Sequence, residues 1–352
     1  MTTPKEQLEG LELQDGWRVL QRLPRGQTDT GGNFSAGYIV ESPSGKKCFL
    51  KAIDFSDAMK AQDPARALQI LTEAFNLERD ILNVSKRMSC VVTAITDGKV
   101  AVGDPATVSV VQYLILELAE DSLRRMAVPS KRLPMSLALG ALHNVANGLR
   151  QLHQQQIAHQ DTKPSNVLKF DDGQFKVADL GRASIKGRAA PHDNLEVAGD
   201  KAYAPPELLY GQVDAEFIVR RIGADAYLLG SLATFLIVGT PMTALIISEL
   251  DPAARPDAWQ ATYAQVIPQV LPAFARSIER VGREISPDAP YRDELLLCIK
   301  QLCEPDVSKR GHPRTRAIMA SSGNIYNLER YVAIFDKLAF SARIFEQRQK
   351  VK

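Results

Sequence analysis

The amino-acid sequence predicts an α+β protein of two parts, a small sheet-rich lobe followed by a larger helical lobe. Three observations carry that expectation. Short β-rich runs fill the chain to about residue 118. Helical periodicity takes over from about Asp121. A stretch of 22 residues without a charge, 226–247, has the composition of a helix buried on all sides.

The runs "WRVLQRL", "GYIVES", "CFLKAIDF" and "YLILEL" are separated by Gly, Pro and Ser, as strands are. "SPSG" at 42–45 is a turn joining two of them. One helix interrupts, "PARALQILTEAFNLERDILNVSKR", on which Leu68, Leu71, Phe75 and Leu82 make an apolar stripe. The second part opens on the helical "MSLALGALHNVANGLRQLHQQQ", continues through two short strands between 157 and 181, and is helical from Pro206 onward. Leu328, Tyr331, Val332, Phe335, Leu338, Ala342 and Phe345 share one helical face, so the last helix is expected to dock on the body.

With 352 residues, 45% hydrophobic and 24% charged, the chain is long enough for two lobes around a substantial core. Its 43 Lys and Arg balance 41 Asp and Glu, which argues against nucleic acid as a partner. Four scattered cysteines read as reduced thiols, and "MTTPKEQLEG" has no apolar signal-peptide core, so a cytoplasmic location is expected. Gly239 and Pro241 interrupt the charge-free stretch and no basic cluster flanks it, so no membrane span is expected. Arg220 and Arg221 read as a solvated face.

The segment "IAHQDTKPSNVLKFDDGQFKVADLG", 157–181, holds the chemistry. Accepting a hydroxyl proton takes a carboxylate, and holding a divalent cation takes a second carboxylate and a carboxamide on neighbouring loops. Asp161, Asp179 and Asn166 supply these groups. Lys163, two residues past Asp161 in an extended loop, points to the same side and can neutralise a phosphate. Pro164 stiffens the turn between Asp161 and Asn166, and His159 reads as a structural histidine that holds the loop.

"HQDTKPSN" resembles the His-Arg-Asp-x-Lys-Pro-x-Asn catalytic loop of eukaryotic-like (Hanks-type) serine/threonine protein kinases, and "ADLG" resembles their Asp-Phe-Gly magnesium motif. The two aspartates stand 18 positions apart, joined through a hairpin with "DDG" at its turn. "FLKAI" resembles the strand motif whose lysine, here Lys51, holds ATP phosphates. Glu73 resembles the helix glutamate that pairs with it, with Glu78 the competitor. "YLILELAEDSL" resembles the hinge, placing Leu116 behind the adenine and giving it the Glu117 carbonyl and the Ala119 amide. "GDKAYAPPE" resembles the end of the activation segment, with Glu207 paired to Arg310, and Asp225 resembles the aspartate that braces the catalytic loop.

The resemblance implies a bilobal protein-kinase-like fold, with a small antiparallel sheet in the N-lobe, 15–118, and a mainly helical C-lobe, 119–315. An N-terminal extension, 1–14, and a C-terminal helical extension, 316–352, docked on the C-lobe, complete the chain. It implies ATP and Mg²⁺ as cofactors, Asp161 and Lys163 as catalytic residues, Lys51, Glu73, Glu117 and Ala119 around the nucleotide, and Asn166 and Asp179 at the metal. The expected partner is a protein substrate with Ser or Thr hydroxyls, and the setting fits a bacterial cytoplasmic regulator. Residues 249–294 and the C-terminal helix are the surfaces set aside for a regulatory protein, with added packing the alternative.

Departures from the family pattern carry expectations of their own. Among Gly26, Gly31, Gly32 and Gly37, Ser35 stands where the last glycine of the glycine-rich loop aligns, so that loop's register is open. Gln160 replaces the arginine that binds a phosphate on the activation segment, and between Asp179 and Glu207 only Ser184 and Tyr203 carry hydroxyls. Both facts point to activity independent of phosphorylation there. Asp200 replaces a threonine, either receiving Lys163 or favouring a basic substrate. Two rival readings are a nucleotide-binding pseudokinase that scaffolds partners and a small-molecule phosphotransferase. Retention of Lys51, Asp161, Asn166 and Asp179 weighs against the first, and Lys163 with "APPE" and Arg310 against the second.

Overall fold

Period-two alternation builds the first part. The computed structural model describes residues 3–24, 35–103, 109–127, 133–319 and 323–351; Gly26, Gly31 and Gly32 lie outside them. Strands β1 (Arg18–Arg22), β2 (Ser35–Glu41), β3 (Lys47–Asp54), β4 (Ala94–Val102) and β5 (Ser109–Leu116) form one sheet in the order β1-β2-β3-β5-β4, every neighbouring pair antiparallel. The β2–β3 turn closes at Gly45, whose φ of 81° suits glycine.

The pleat sends alternate side chains of β3 to opposite faces. Cys48, Leu50 and Ala52 pack with Tyr38, Val40 and Ile115, and Leu8, Leu13 and Trp17 cover that face. The Tyr38 hydroxyl ties the cover down by donating to the Lys5 carbonyl at 2.6 Å. Residues 3–14, expected as an extension, therefore belong to the sheet's packing. Phe49, Lys51 and Ile53 face the other way, toward helix α1 (Pro64–Ser85). There Phe75, Ile81 and Leu82 close a second core with Leu114 and Leu116. The first half of α1 contributes little to it: Leu68, expected in the apolar stripe, is 39% exposed.

The second part begins with β6 (Asp121–Ser122), α2 (Leu123–Met126) and α3 (Met135–Gln154). Short strands β7 (Ile157–Ala158), β8 (Val167–Lys169), β9 (Phe175–Val177) and β10 (Ser184–Ile185) follow. Strand β8 pairs with β9 and β6, and β7 with β10, so three short pairings fix both ends of the 157–181 segment. Helices α4 (Pro206–Leu209), α5 (Gly223–Val238), α6 (Met242–Glu249), α7 (Tyr263–Arg283), α8 (Arg292–Leu302), α9 (Pro313–Met319) and α10 (Glu329–Val351) complete the lobe.

Helix α5 is the lobe's axis. Apolar all round, it packs Tyr227, Leu229 and Leu232 into a core shared with α3, α6, α7, α8 and α10. Ile218–Val238 is the one helix among the described residues long and apolar enough to cross a membrane, and 89% of its apolar window is buried inside the protein. Gly239, at φ 74°, ends the helix and splits the charge-free stretch in two. Val266, Val270, Ala273, Phe274 and Val281 of α7 are buried, so the inner side of 249–294 is used for packing. Helix α10 buries Tyr331, Phe335, Leu338 and Ala342. Its Glu346 accepts from the Ser136 amide at 2.9 Å and hydroxyl at 2.6 Å at the start of α3. Helix α9 runs across the expected boundary at 315/316.

Candidate active site

Lys51 reaches toward α1 because the pleat puts it there. Its Nζ donates to Glu78 Oε1 at 2.7 Å and to Asp179 Oδ1 at 2.9 Å. This corrects the expectation for Glu73. Phe75, Glu78, Leu82 and Ser85 follow the i, i+3, i+7 spacing of the buried face of α1, whereas Glu73 lies outside it, exposed and bonded to Gln69 at 2.8 Å. Continuity of that stripe through Glu78 was the available sequence signal. Burial alone would lower the Lys51 pKa, but Asp179 and Glu78 override it and hold the ammonium charged well above its ordinary range. Burial, with Asp179 adding to it, raises Glu78 against the pull of Lys51.

Asp225, fully buried at the start of α5, braces the loop after β7. Its carboxylate accepts from the amides of His159 and Gln160, both at 2.7 Å, and contacts His153 Nε2 at 2.9 Å. This holds Gln160 at φ 65°, a left-handed backbone that disfavours a side chain. His159 Nε2 donates to the Ala178 carbonyl at 3.0 Å while Nδ1 accepts from the Asp161 amide at 3.2 Å, so the histidine ties the loop to the end of β9.

Asp161 is buried and well supported. Oδ1 accepts from the Asp200 amide at 2.8 Å; Oδ2 receives Asn166 Nδ2 at 3.0 Å and Lys163 Nζ at 3.1 Å. The turn Pro164–Asn166 brings Asn166 back, and its Nδ2 also donates to the Asp161 carbonyl at 2.8 Å. Burial raises the Asp161 pKa, Lys163 opposes it, and the charge of Asp179 raises it further. Asp179 sits at φ 59°, in the left-handed region. Lys51 first, against burial, lowers it to about 2. The fold thus brings Lys51 and Asp179 into one cluster and Asp161, Lys163 and Asn166 into another, each carboxylate within the other's field.

Glu117 follows β5. Its amide donates to the Thr93 carbonyl at 3.1 Å, and its carboxylate accepts from the Thr93 amide and from Lys176, both at 2.7 Å, so the residue after β5 is held from both ends. Phe49 was missed in the sequence. It lies on the cleft face of β3, two residues before Lys51 and opposite Leu116, and packs with Ala119 and Leu168 on the core around Leu116. A Cβ on Gly37 would stand 2.8 Å from Phe49 Cε2, so the ring fits only because residue 37 has no side chain.

Residues 179–207 lie against the loop. Gly199 fits so closely that a Cβ would stand 2.3 Å from the Gln160 carbonyl oxygen. Asp200 contacts Lys163 at 3.5 Å. Glu207 takes both Nη atoms of the fully buried Arg310 at 2.7 Å. The expectation of a solvated face at Arg220 and Arg221 is corrected: Arg221 is buried, and both side chains bond to this segment.

No group of three or more His, Cys, Asp or Glu suited to a metal stands among the described residues. Asp179 with Asn166 still fits Mg²⁺, because Asp179 spends only Oδ1 on Lys51, Asn166 turns its amide nitrogen to Asp161, and Mg²⁺ takes one or two protein ligands alongside phosphate oxygens and water.

A five-stranded antiparallel lobe over a helical lobe, with facing charged clusters between them, is a two-lobed arrangement of the protein-kinase kind. The chain belongs to that family: the protein kinase domain matches residues 32–318. A stretch of 101 residues is 41% identical to the CBL-interacting protein kinase 4 of Oryza sativa subsp. japonica, covering 28% of this chain and 22% of that protein. The serine/threonine-protein kinase STK11 of Homo sapiens is 35% identical over 102 residues, 28% of this chain and 24% of that protein. The serine/threonine-protein kinase PknL of Mycobacterium tuberculosis (strain ATCC 25618 / H37Rv) is 31% identical over 134 residues, 37% of this chain and 32% of that protein. The matched stretches thus span less than a third of each relative.

Proposed function

We propose that the chain transfers the γ-phosphate of ATP to Ser or Thr hydroxyls of protein substrates, and that it does so without phosphorylation of residues 179–207. The observation that carries this reading is the shared lysine: Lys51 joins Glu78 of the first lobe to Asp179 of the second, and the charge of Asp179 is felt at Asp161. Kinase chemistry asks chiefly for such positioning and charge neutralisation.

Lys51 orients the phosphates, while Glu117 and Ala119 present backbone groups to the base. Mg²⁺, held by Asp179 and Asn166, supplies positive charge to the phosphate oxygens. Asp161 orients the acceptor hydroxyl. Of its carboxylate's roughly four lone-pair sites, Asp200, Asn166 and Lys163 fill three, which leaves one on Oδ1 for the hydroxyl proton. The raised pKa makes Asp161 a stronger base than an exposed aspartate. Lys163, beside Asp161, is placed to receive phosphate charge as it passes.

Independence from phosphorylation is supported by the burial of both hydroxyls in the segment: Ser184 bonds to Gln160 and His192, and Tyr203 is also buried. The test is incubation with γ-labelled ATP, Mg²⁺ and a lysate lacking this protein, with phosphoamino-acid analysis of the products. Label on Ser or Thr is expected, falling by about 10²- to 10⁴-fold in Asp161→Asn. Label on Tyr alone, or an Asp161→Asn rate equal to wild type, refutes the reading.

A further inference from the structure

A buried arginine stands where the resembled family brings a phosphate. The loop arginine that takes an activation-segment phosphate is Gln160 in this chain, yet the space beside it holds a guanidinium. Arg221, from the wide turn Ile218–Ile222 that leads into α5, places Nη1 against Gln160 Oε1 and donates through Nη2 to Asp193 Oδ1 at 2.8 Å. Gln160 is filled from its other end, where Nε2 donates to the Arg182 carbonyl and Ser184 Oγ, both at 2.8 Å. Ser184 Oγ in turn meets His192 Nε2 at 3.0 Å.

Further bonds converge on Asp193. Its Oδ2 accepts from the Ala190 amide at 2.6 Å, and Arg220 Nη2 donates to the carbonyls of Asp193 and Leu195, both at 2.8 Å. Arg221, Gln160, Ser184 and His192 are all buried, whereas the Asp193 side chain is 37% exposed. Burial, with Arg221 adding to it, lowers His192 to about 4, so it stands neutral among these groups near pH 7.

We propose that Arg221 and Asp193 are positioning residues that clamp 182–195 in place for substrate, with both halves of the phosphate lock replaced: the segment brings a carboxylate instead of a phosphate, and the turn before α5, rather than the catalytic loop, brings the arginine. The clamp acts through Gln160, the neighbour of Asp161, so the segment and the base are set by one hydrogen-bonded chain. A charge-assisted bond to a mostly buried guanidinium holds without any modification enzyme. This inference rests on the kinase reading for its effect on rate, but its structural content stands apart from catalysis.

The test uses the full chain and two readouts. Asp193→Asn is the main variant, because a partly exposed side chain of the same shape leaves folding intact; Arg221→Lys keeps the charge and loses the fork. In Asp193→Asn, amide hydrogen exchange across 186–198 is expected to rise about tenfold. kcat/KM for protein substrate should fall by about tenfold or more while KM for ATP stays put. Arg221→Lys should fall between Asp193→Asn and wild type, and phosphatase treatment of wild type should change neither readout. If Asp193→Asn loosens the segment in a protein that transfers no phosphate, the clamp stands and the kinase reading fails. If exchange across 186–198 is unchanged in Asp193→Asn, or phosphatase alone raises it in wild type, the clamp is overturned whatever the rate.

Discussion

Two buried cations in this molecule meet carboxylates, and they do so in opposite ways. Arg310 is 0% exposed, gives both Nη atoms to one glutamate, spends Nε on the Glu304 carbonyl at 2.9 Å, and lies 5.1 Å over the Tyr227 ring. One positive charge meets one negative charge and the guanidinium fork is filled. Lys51 meets two carboxylates, Glu78 and Asp179, so that cluster carries a surplus negative charge. One of its members sits on a left-handed backbone and another has its pKa raised by burial. A closed pair of the first kind fixes a fold. An open one of the second kind holds back stability, as the proposed binding of a cation and a polyanion at that cluster would require.

Removing Arg310 tests the closed pair most severely. Arg310→Met leaves Glu207 buried without its partner, and a loss of about 3–5 kcal/mol in unfolding free energy is expected from urea titration. A loss under about 1 kcal/mol would place the pair among surface ion pairs, against its geometry.

The open cluster should respond to small steric changes beside it rather than by unfolding. Gly37→Val puts a Cβ 2.8 Å from Phe49 Cε2, closer than real contacts tolerate, so the ring must shift in the cleft. Overpacking of about 1–3 kcal/mol, expressed in nucleotide binding, corresponds to roughly a 5- to 150-fold rise in KM for ATP, and Phe49→Ala in the same chain should reverse most of it. An unchanged KM in Gly37→Val would mean that Phe49 is not part of the nucleotide slot.

Acid gives the smallest and most specific effect. Lys51 holds Asp179 at about 2, below the ordinary carboxylate value of 3.8. The ionised form therefore contributes stability above pH 4 that is lost as pH falls toward 2. In Lys51→Met this share of the acid sensitivity should disappear, visible as a shallower drop in the urea midpoint between about pH 4 and pH 2. An identical slope in both proteins would show that Lys51 does not hold Asp179.

What was legible in the sequence follows from how local each relation is. Asp161, Lys163 and Asn166 lie within six residues, and Asp179 follows across one hairpin, so their order and spacing sufficed to bring them together. Glu207 and Arg310 were found through two ordered motifs despite their separation. Glu78 was misjudged because both glutamates lie on one helix; the apolar stripe through Phe75 and Leu82, which passes through Glu78 and not Glu73, was the signal that separates them. Arg221 looked like surface because its partner, Asp193, is 28 positions earlier in an irregular segment. The exchange of bulk between Gly37 and Phe49 became visible only through the pairing of β2 with β3.

Phosphate transfer by Glu78→Gln and Glu73→Gln, measured side by side with their urea midpoints, tests the open cluster most directly. Glu78→Gln should lose about 10- to 100-fold in kcat/KM with no fall in its midpoint, because burial makes the charge of Glu78 a cost at neutral pH. Glu73→Gln should match wild type in both. Loss of transfer in Glu73→Gln with full activity in Glu78→Gln would contradict the account at its centre.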